Sequence, residues 1–94
     1  AYMVEIGEKT VIGGDAVLNG HLFENNGIHL AKVKIGSRCL VGTHAQVNPG
    51  CVIGDGAVIA SRAVLPKHTE VPPGEVWGGI PAKCIRRADG SKPE

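Results

Sequence analysis

Four histidines, His21, His29, His44 and His68, are the residues of this chain best suited to move a proton at neutral pH. An imidazole titrates near working pH, so it can take a proton from a hydroxyl or amine and return it. The same ring binds zinc, but a zinc site needs about three such ligands converging on one point. Three cysteines are the other reactive groups. What these residues can do depends on the elements that hold them. His21 and His29 stand out because they flank the one interruption in an otherwise regular pattern.

That pattern runs from Ile35 to Trp77 in sixes. Ile35, Val41, Val47, Ile53, Ile59, Leu65, Val71 and Trp77 all take the first place. The second place is Gly, Asn, Ala or Pro. The fifth is Cys39, Ala45, Cys51, Ala57 and Ala63 before it becomes Thr69 and Glu75. A period of six excludes an amphipathic helix and is a multiple of the strand period of two. Each six is therefore a short strand plus a turn, with first and fifth residues on one side and Gly, Asn or Pro at the bend. Such a unit buries its apolar residue only when stacked on copies of itself, as in a parallel β-helix.

Upstream, Ile6, Ile12 and Leu18 head three more sixes, a first coil over residues 6–23. The register then breaks over residues 24–34, read here as an irregular loop crossing one corner, with Asn26-Gly27 as a tight-turn signal. Functional residues of repeat proteins tend to lie on such interruptions. The reading gives one β-helix domain over residues 1–86, with Trp77, Ile80 and Ile85 closing its lower end, and a flexible polar tail over 87–94. Nothing before residue 6 supplies a polar cap, which points to the C-terminal part of a longer protein.

The repeat resembles the hexapeptide-repeat (isoleucine-patch) proteins. The resemblance implies an all-β, single-stranded, left-handed parallel β-helix with three sixes per coil. That gives about 3–4 coils and roughly 17 Å of height at ordinary strand spacing. The hand comes from the resemblance, since the usual crossover rule favours the right-handed form. Residues eighteen apart then stack: Ile35 with Ile53 and Val71, Val41 with Ile59 and Trp77, Val47 with Leu65. Val47-Asn-Pro-Gly, Ile53-Gly-Asp and Gly79-Ile-Pro-Ala-Lys83 resemble the maltose and galactoside acetyltransferase branch. Leu18-Asn-Gly-His-Leu-Phe-Glu24 is similar to terminal hexapeptide domains of some nonribosomal-peptide-synthetase-like proteins, where Thr would stand in place of His21.

The branch implies an acyltransferase that moves acetyl from acetyl-CoA, or another acyl group from its coenzyme A ester, to a small hydroxyl or amino acceptor. The site would lie between the subunits of a homotrimer, and no metal is expected. Its general base maps to His21, with Leu22 where relatives often have Pro; His29 is second choice. Coenzyme A contacts map to Ala60 and Ser61 by backbone and to Lys83 near the phosphates. His44 reads as structural, since several relatives carry a His there without using it, and His68 as exposed. A non-catalytic trimerisation domain of a larger protein is the alternative. A zinc protein like the hexapeptide (γ-type) carbonic anhydrases is a weaker one, because His21, His29 and His44 lack that group's spacing.

Composition narrows the classes. Ten Lys and Arg against nine Asp and Glu leave a formal charge of +1, no basis for binding nucleic acid or an anionic membrane. One each of Phe, Trp and Tyr gives no stacking platform for bases. No signal peptide or long apolar run is present. Cys39 and Cys51 fall at different corners and Cys84 lies beyond the repeat, so no disulfide pairing is expected and the setting is a reducing one, the cytoplasm.

Overall fold

The computed structural model describes residues 4–18, 21–24, 27–30 and 32–92, with the backbone alone over 21–30. Described residues form fourteen strands and no helix. Between β1 (Val4–Ile6) and β13 (Val76–Gly79) the chain visits three parallel sheets in rotation. The first holds β1, β6 (Val33–Ile35), β9 (Val52–Ile53) and β12 (Glu70–Val71). The second holds β2 (Val11–Ile12), β7 (Leu40–Val41), β10 (Val58–Ile59) and β13. The third holds β3 (Val17–Leu18), β8 (Gln46–Val47) and β11 (Val64–Leu65).

Each strand of the regular part comprises the sixth residue of one six and the first of the next. Because side chains alternate, the sixth faces out and the first faces in. The expected columns are all present: Ile35 pairs with Ile53 and Ile53 with Val71; Val41 pairs with Ile59 and Ile59 with Trp77; Val47 pairs with Leu65. Every first-place residue from Ile35 to Val71 is at most 3% exposed, and so is every fifth-place residue from Cys39 to Ala63. Full burial of one such Ile, Leu or Val is worth about 1.5–3 kcal/mol, so these columns are the main source of stability.

The turns obey one rule. The fourth residue of every six but the one headed by Leu18 has positive φ: Lys9, Asp15, Arg38, His44, Arg62 and His68 among non-glycines, and Gly50, Gly56 and Gly74. Backbone bonds run straight through these turns. The Arg62 amide donates to Thr43 O, His68 to Pro49 O and Gly74 to Asp55 O, each one coil back. The second place is often glycine because the next coil lies directly on it. A β-carbon on Gly54 would stand 2.6 Å from the backbone nitrogen of Pro73.

Two expectations change. Ile6, Ile12 and Leu18 pair with Ile35, Val41 and Val47, 29 positions on rather than 18. The extra residues are not an irregular loop. They form an antiparallel hairpin, β4 (His21–Glu24) against β5 (Gly27–Leu30), with Glu24 paired to Gly27 across a two-residue connection. The repeat is left after Leu18, so His21 opens a strand instead of sitting at a fourth-place turn.

The lower end also differs. β13 turns back at Ile80-Pro81, a cis bond, into β14 (Ala82–Arg86), which pairs antiparallel with it. The reversal places Ile80 at the bend, 75% exposed, and leaves Ile85 49% exposed. Ala82, 5% exposed, and the partly buried Trp77 pack on the core there instead. Beyond β14, Arg87 and Ser91 are joined by a backbone bond, and Ala88 lies against Gly74. At the upper end Ile6 is 46% exposed, against 3% for Ile35 in the same column.

Candidate functional site

The hairpin carries both leading histidines. It leaves the third sheet after β3 and returns to the first at β6. His21 pairs with Leu30 and His29 with Leu22, so the two histidines occupy neighbouring, non-partner positions of one ribbon.

Ala60, Ser61 and Lys83 come together at another place. Ala60 and Ser61 follow β10 in the corner between the second and third sheets. One strand along, Gly78 stacks on that corner: a β-carbon on it would lie 3.0 Å from the Ala60 β-carbon. Lys83 is the register partner of Gly78 on β14. Ser61 and Lys83 are exposed. The Ala60 amide already donates to Trp77 O at 2.8 Å. Of the backbone contacts expected from the Ala60–Ser61 step, that one amide is therefore committed to the fold.

The same corner holds His44, whose Nε2 lies 3.9 Å from the Asp15 carboxylate one coil up, with both side chains at least half exposed. His68 lies at the next corner, over Gly50. The buried thiols are bonded to backbone carbonyls. Cys39 donates to Gly54 O at 3.1 Å and Cys51 to Pro66 O at 3.0 Å, and burial pushes the Cys51 thiol up. Cys84 is raised as well, by partial desolvation and then by Glu75. Among the described residues no three His, Cys, Asp or Glu come together to hold a metal, and no helix is long and apolar enough to cross a membrane.

The described part of one chain encloses no pocket. The Ala60 corner stands at the entrance of the third sheet and the hairpin at its exit. Along the stack they are two strands apart, about 10 Å at ordinary spacing.

The outer faces of the sheets differ in character. Sixth-place residues on the second sheet line up as Val11, Leu40, Val58 and Val76. On the third they are Val17, Gln46 and Val64. On the first they are Glu5, Lys34, Val52 and Glu70, with Lys32 paired to Glu5.

Comparison with known proteins agrees with this architecture. Residues 32–67 match the family described as bacterial transferase hexapeptide (six repeats). Over those residues the chain carries the hexapeptide repeat that this family model describes. It is similar to galactoside O-acetyltransferase of Escherichia coli (strain K12), 33% identical over 92 residues, which covers 90% of this chain and 44% of that protein. It is also similar to the mitochondrial gamma carbonic anhydrase 2 of Arabidopsis thaliana, 32% identical over 87% of this chain and 25% of that one. Among solved structures, galactoside acetyltransferase in complex with coenzyme A superposes with a TM-score of 0.82 at 29% identity, over 90% of this chain and 45% of that one. The chain thus spans less than half the length of these relatives.

Proposed function

We propose that the protein is an acyltransferase that moves acetyl from acetyl-CoA to a small hydroxyl or amino acceptor, and that it works as a homotrimer with the site between subunits. The observation that carries this is its likeness, over nine-tenths of the chain, to a galactoside acetyltransferase that holds coenzyme A. The β-helix is then left-handed, about 3–4 coils tall, spanning residues 1–86 and followed by a polar C-terminal tail.

Geometry supports a shared site. The predicted coenzyme A corner and the histidine hairpin lie at opposite edges of the third sheet, and a second copy can bring the hairpin of one chain to the corner of the next. The apolar outer column of the second sheet suits such an interface, whereas the charged first sheet suits solvent. Unpaired cysteines at separate corners favour the cytoplasm.

In the step, a hairpin imidazole takes the proton of the acceptor hydroxyl or amine. The freed lone pair attacks the thioester carbonyl, and the tetrahedral intermediate collapses with cleavage of the carbon–sulfur bond. The coenzyme A thiolate leaves and recovers the proton from the imidazolium. Ser61 and Lys83 would hold the coenzyme at the corner, Lys83 by charge on its phosphates. The test is release of free coenzyme A thiol from acetyl-CoA against a panel of sugars and amines. Acceptor-dependent release supports the proposal. Release no faster than buffer for every acceptor contradicts it.

A further inference from the structure

We infer that the upper end of the β-helix is a docking surface for a second copy of the chain, met end to end across a two-fold axis through β2. β1, β2 and β3 are the edge strands of their sheets. Ile6 is exposed there, and Val4, Ile12, Ala16 and Leu18 are only partly buried, whereas the same columns are closed one coil down. The backbone of this edge also faces outward. In the coils below, first- and fifth-place carbonyls accept from the coil above: Ile35 O from the Gly7 amide, Ile53 O from Gly36 and Cys39 O from Val11. Fourth-place amides donate upward, Arg38 to Glu8 O and His44 to Gly14 O. The matching groups of the first coil are the Ile6, Thr10 and Ile12 carbonyls and the Lys9 and Asp15 amides, which by the same pattern point past the edge.

The lower end does not fit that edge. Second-place amides bond downward, Gly36 to Ile53 O and Gly54 to Val71 O, but in the last coil those places are Pro66 and Pro72, which have no N–H. β13 is covered by β14. Copies therefore do not stack head to tail into a filament. Two upper ends can meet, since each presents donors and acceptors, and a two-fold contact closes on itself. A two-fold axis across a three-sided end passes through one sheet and the opposite corner. Lys9 lies at the corner between the first and second sheets and Asp15 at the corner between the second and third, both exposed. An axis through the first sheet sets Asp15 against the partner's Asp15, and one through the third sets Lys9 against the partner's Lys9. An axis through the second sets Lys9 against the partner's Asp15 and Asp15 against the partner's Lys9. Opposite charges select this last arrangement, with β2 antiparallel to its copy. Glu8 and Arg38 are the other charged residues at the Lys9 corner, and His44 lies below Asp15.

A contact the size of one prism end falls below the ~1,200 Å² of a standard interface, so the pairing is read at high concentration. Sedimentation velocity compares the mass at about 10 μM with that at about 1 mM, the range of weak contacts. The wild-type mass is expected to double. Lys9→Asp and Asp15→Lys should each hold the low-concentration mass, because each sets like charges together. The double variant carrying both changes should double again, because the pair is restored with its signs exchanged. A constant wild-type mass, growth beyond doubling, doubling that survives both single variants, or no recovery in the double variant overturns the inference. The readout is a ratio of two masses and uses no acetyl-CoA, so it is independent of the proposed trimer and of the transferase reading.

Discussion

Gly56 and Gly74 stand one above the other in the same corner, each with a φ of +74°, and a β-carbon added to Gly56 would meet nothing closer than 4.0 Å. Space is therefore not what favours glycine at position 56; the backbone conformation is. Gly56→Ala is expected to cost about 1 kcal/mol or more, because a non-glycine residue there adopts a left-handed conformation. Arg62→Gly, at a φ of 64°, is the reverse experiment and is expected to gain about 0.5–1 kcal/mol. Urea denaturation midpoints check both, and a neutral Gly56→Ala contradicts the account of the turns.

Assembly should depend on which sheet is altered. Leu40 is 45% exposed on the apolar second-sheet column, and Val52 is 40% exposed between Lys34 and Glu70 on the first. Leu40→Glu is expected to convert the proposed trimer to single chains at micromolar concentration, and Val52→Glu to leave the assembly intact. Light-scattering mass distinguishes them. Equal masses for the two variants contradict the assignment of the interface.

The buried thiols give a pH dependence with a definite sign. Burial raises the Cys51 pKa in the folded chain, above an unfolded value of about 8.5. The associated stability is complete below that pH and is lost as pH rises through the folded value. Cys51→Ala should therefore flatten the fall in stability between neutral pH and about pH 10. An unchanged slope contradicts this. With a thiol reagent at neutral pH, the half-buried Cys84 should label first, and Cys39 and Cys51 only as the fold opens.

Rates should separate the two histidines. Replacing by Asn the hairpin histidine that acts as base, His21 or, as second choice, His29, is expected to lower kcat/KM for transfer by about a hundredfold or more. The same replacement at the other hairpin histidine should cost far less. Steady-state kinetics with the best acceptor of the panel checks this. Near-normal turnover in both variants contradicts a hairpin histidine as the base.

The core was readable because a period of six cannot be hidden. Ile35 to Val71 announce the inward columns, and Cys39, Ala45 and Cys51 are small because each fills a corner. The hairpin was harder to see. Leu18-Asn-Gly-His-Leu-Phe imitates one more six, so it read as part of the first coil; yet the Asn26-Gly27 signal after His-Leu-Phe-Glu, where a segment of matching length, Gly-Ile-His-Leu, begins, marked a ribbon. Ile80 and Ile85 were misplaced because the chain reverses after Gly79, where antiparallel pairing replaces the period of six. Backbone contacts around Ala60 and Ser61 leave almost no mark in side-chain identity.

The central claim is most directly tested by calorimetric titration of the assembled protein with acetyl-CoA. Saturable binding at one site per chain, with a matching rise in thermal stability, is the predicted result. No heat and no stabilisation up to millimolar ligand would contradict the transferase reading and leave an assembly domain in its place.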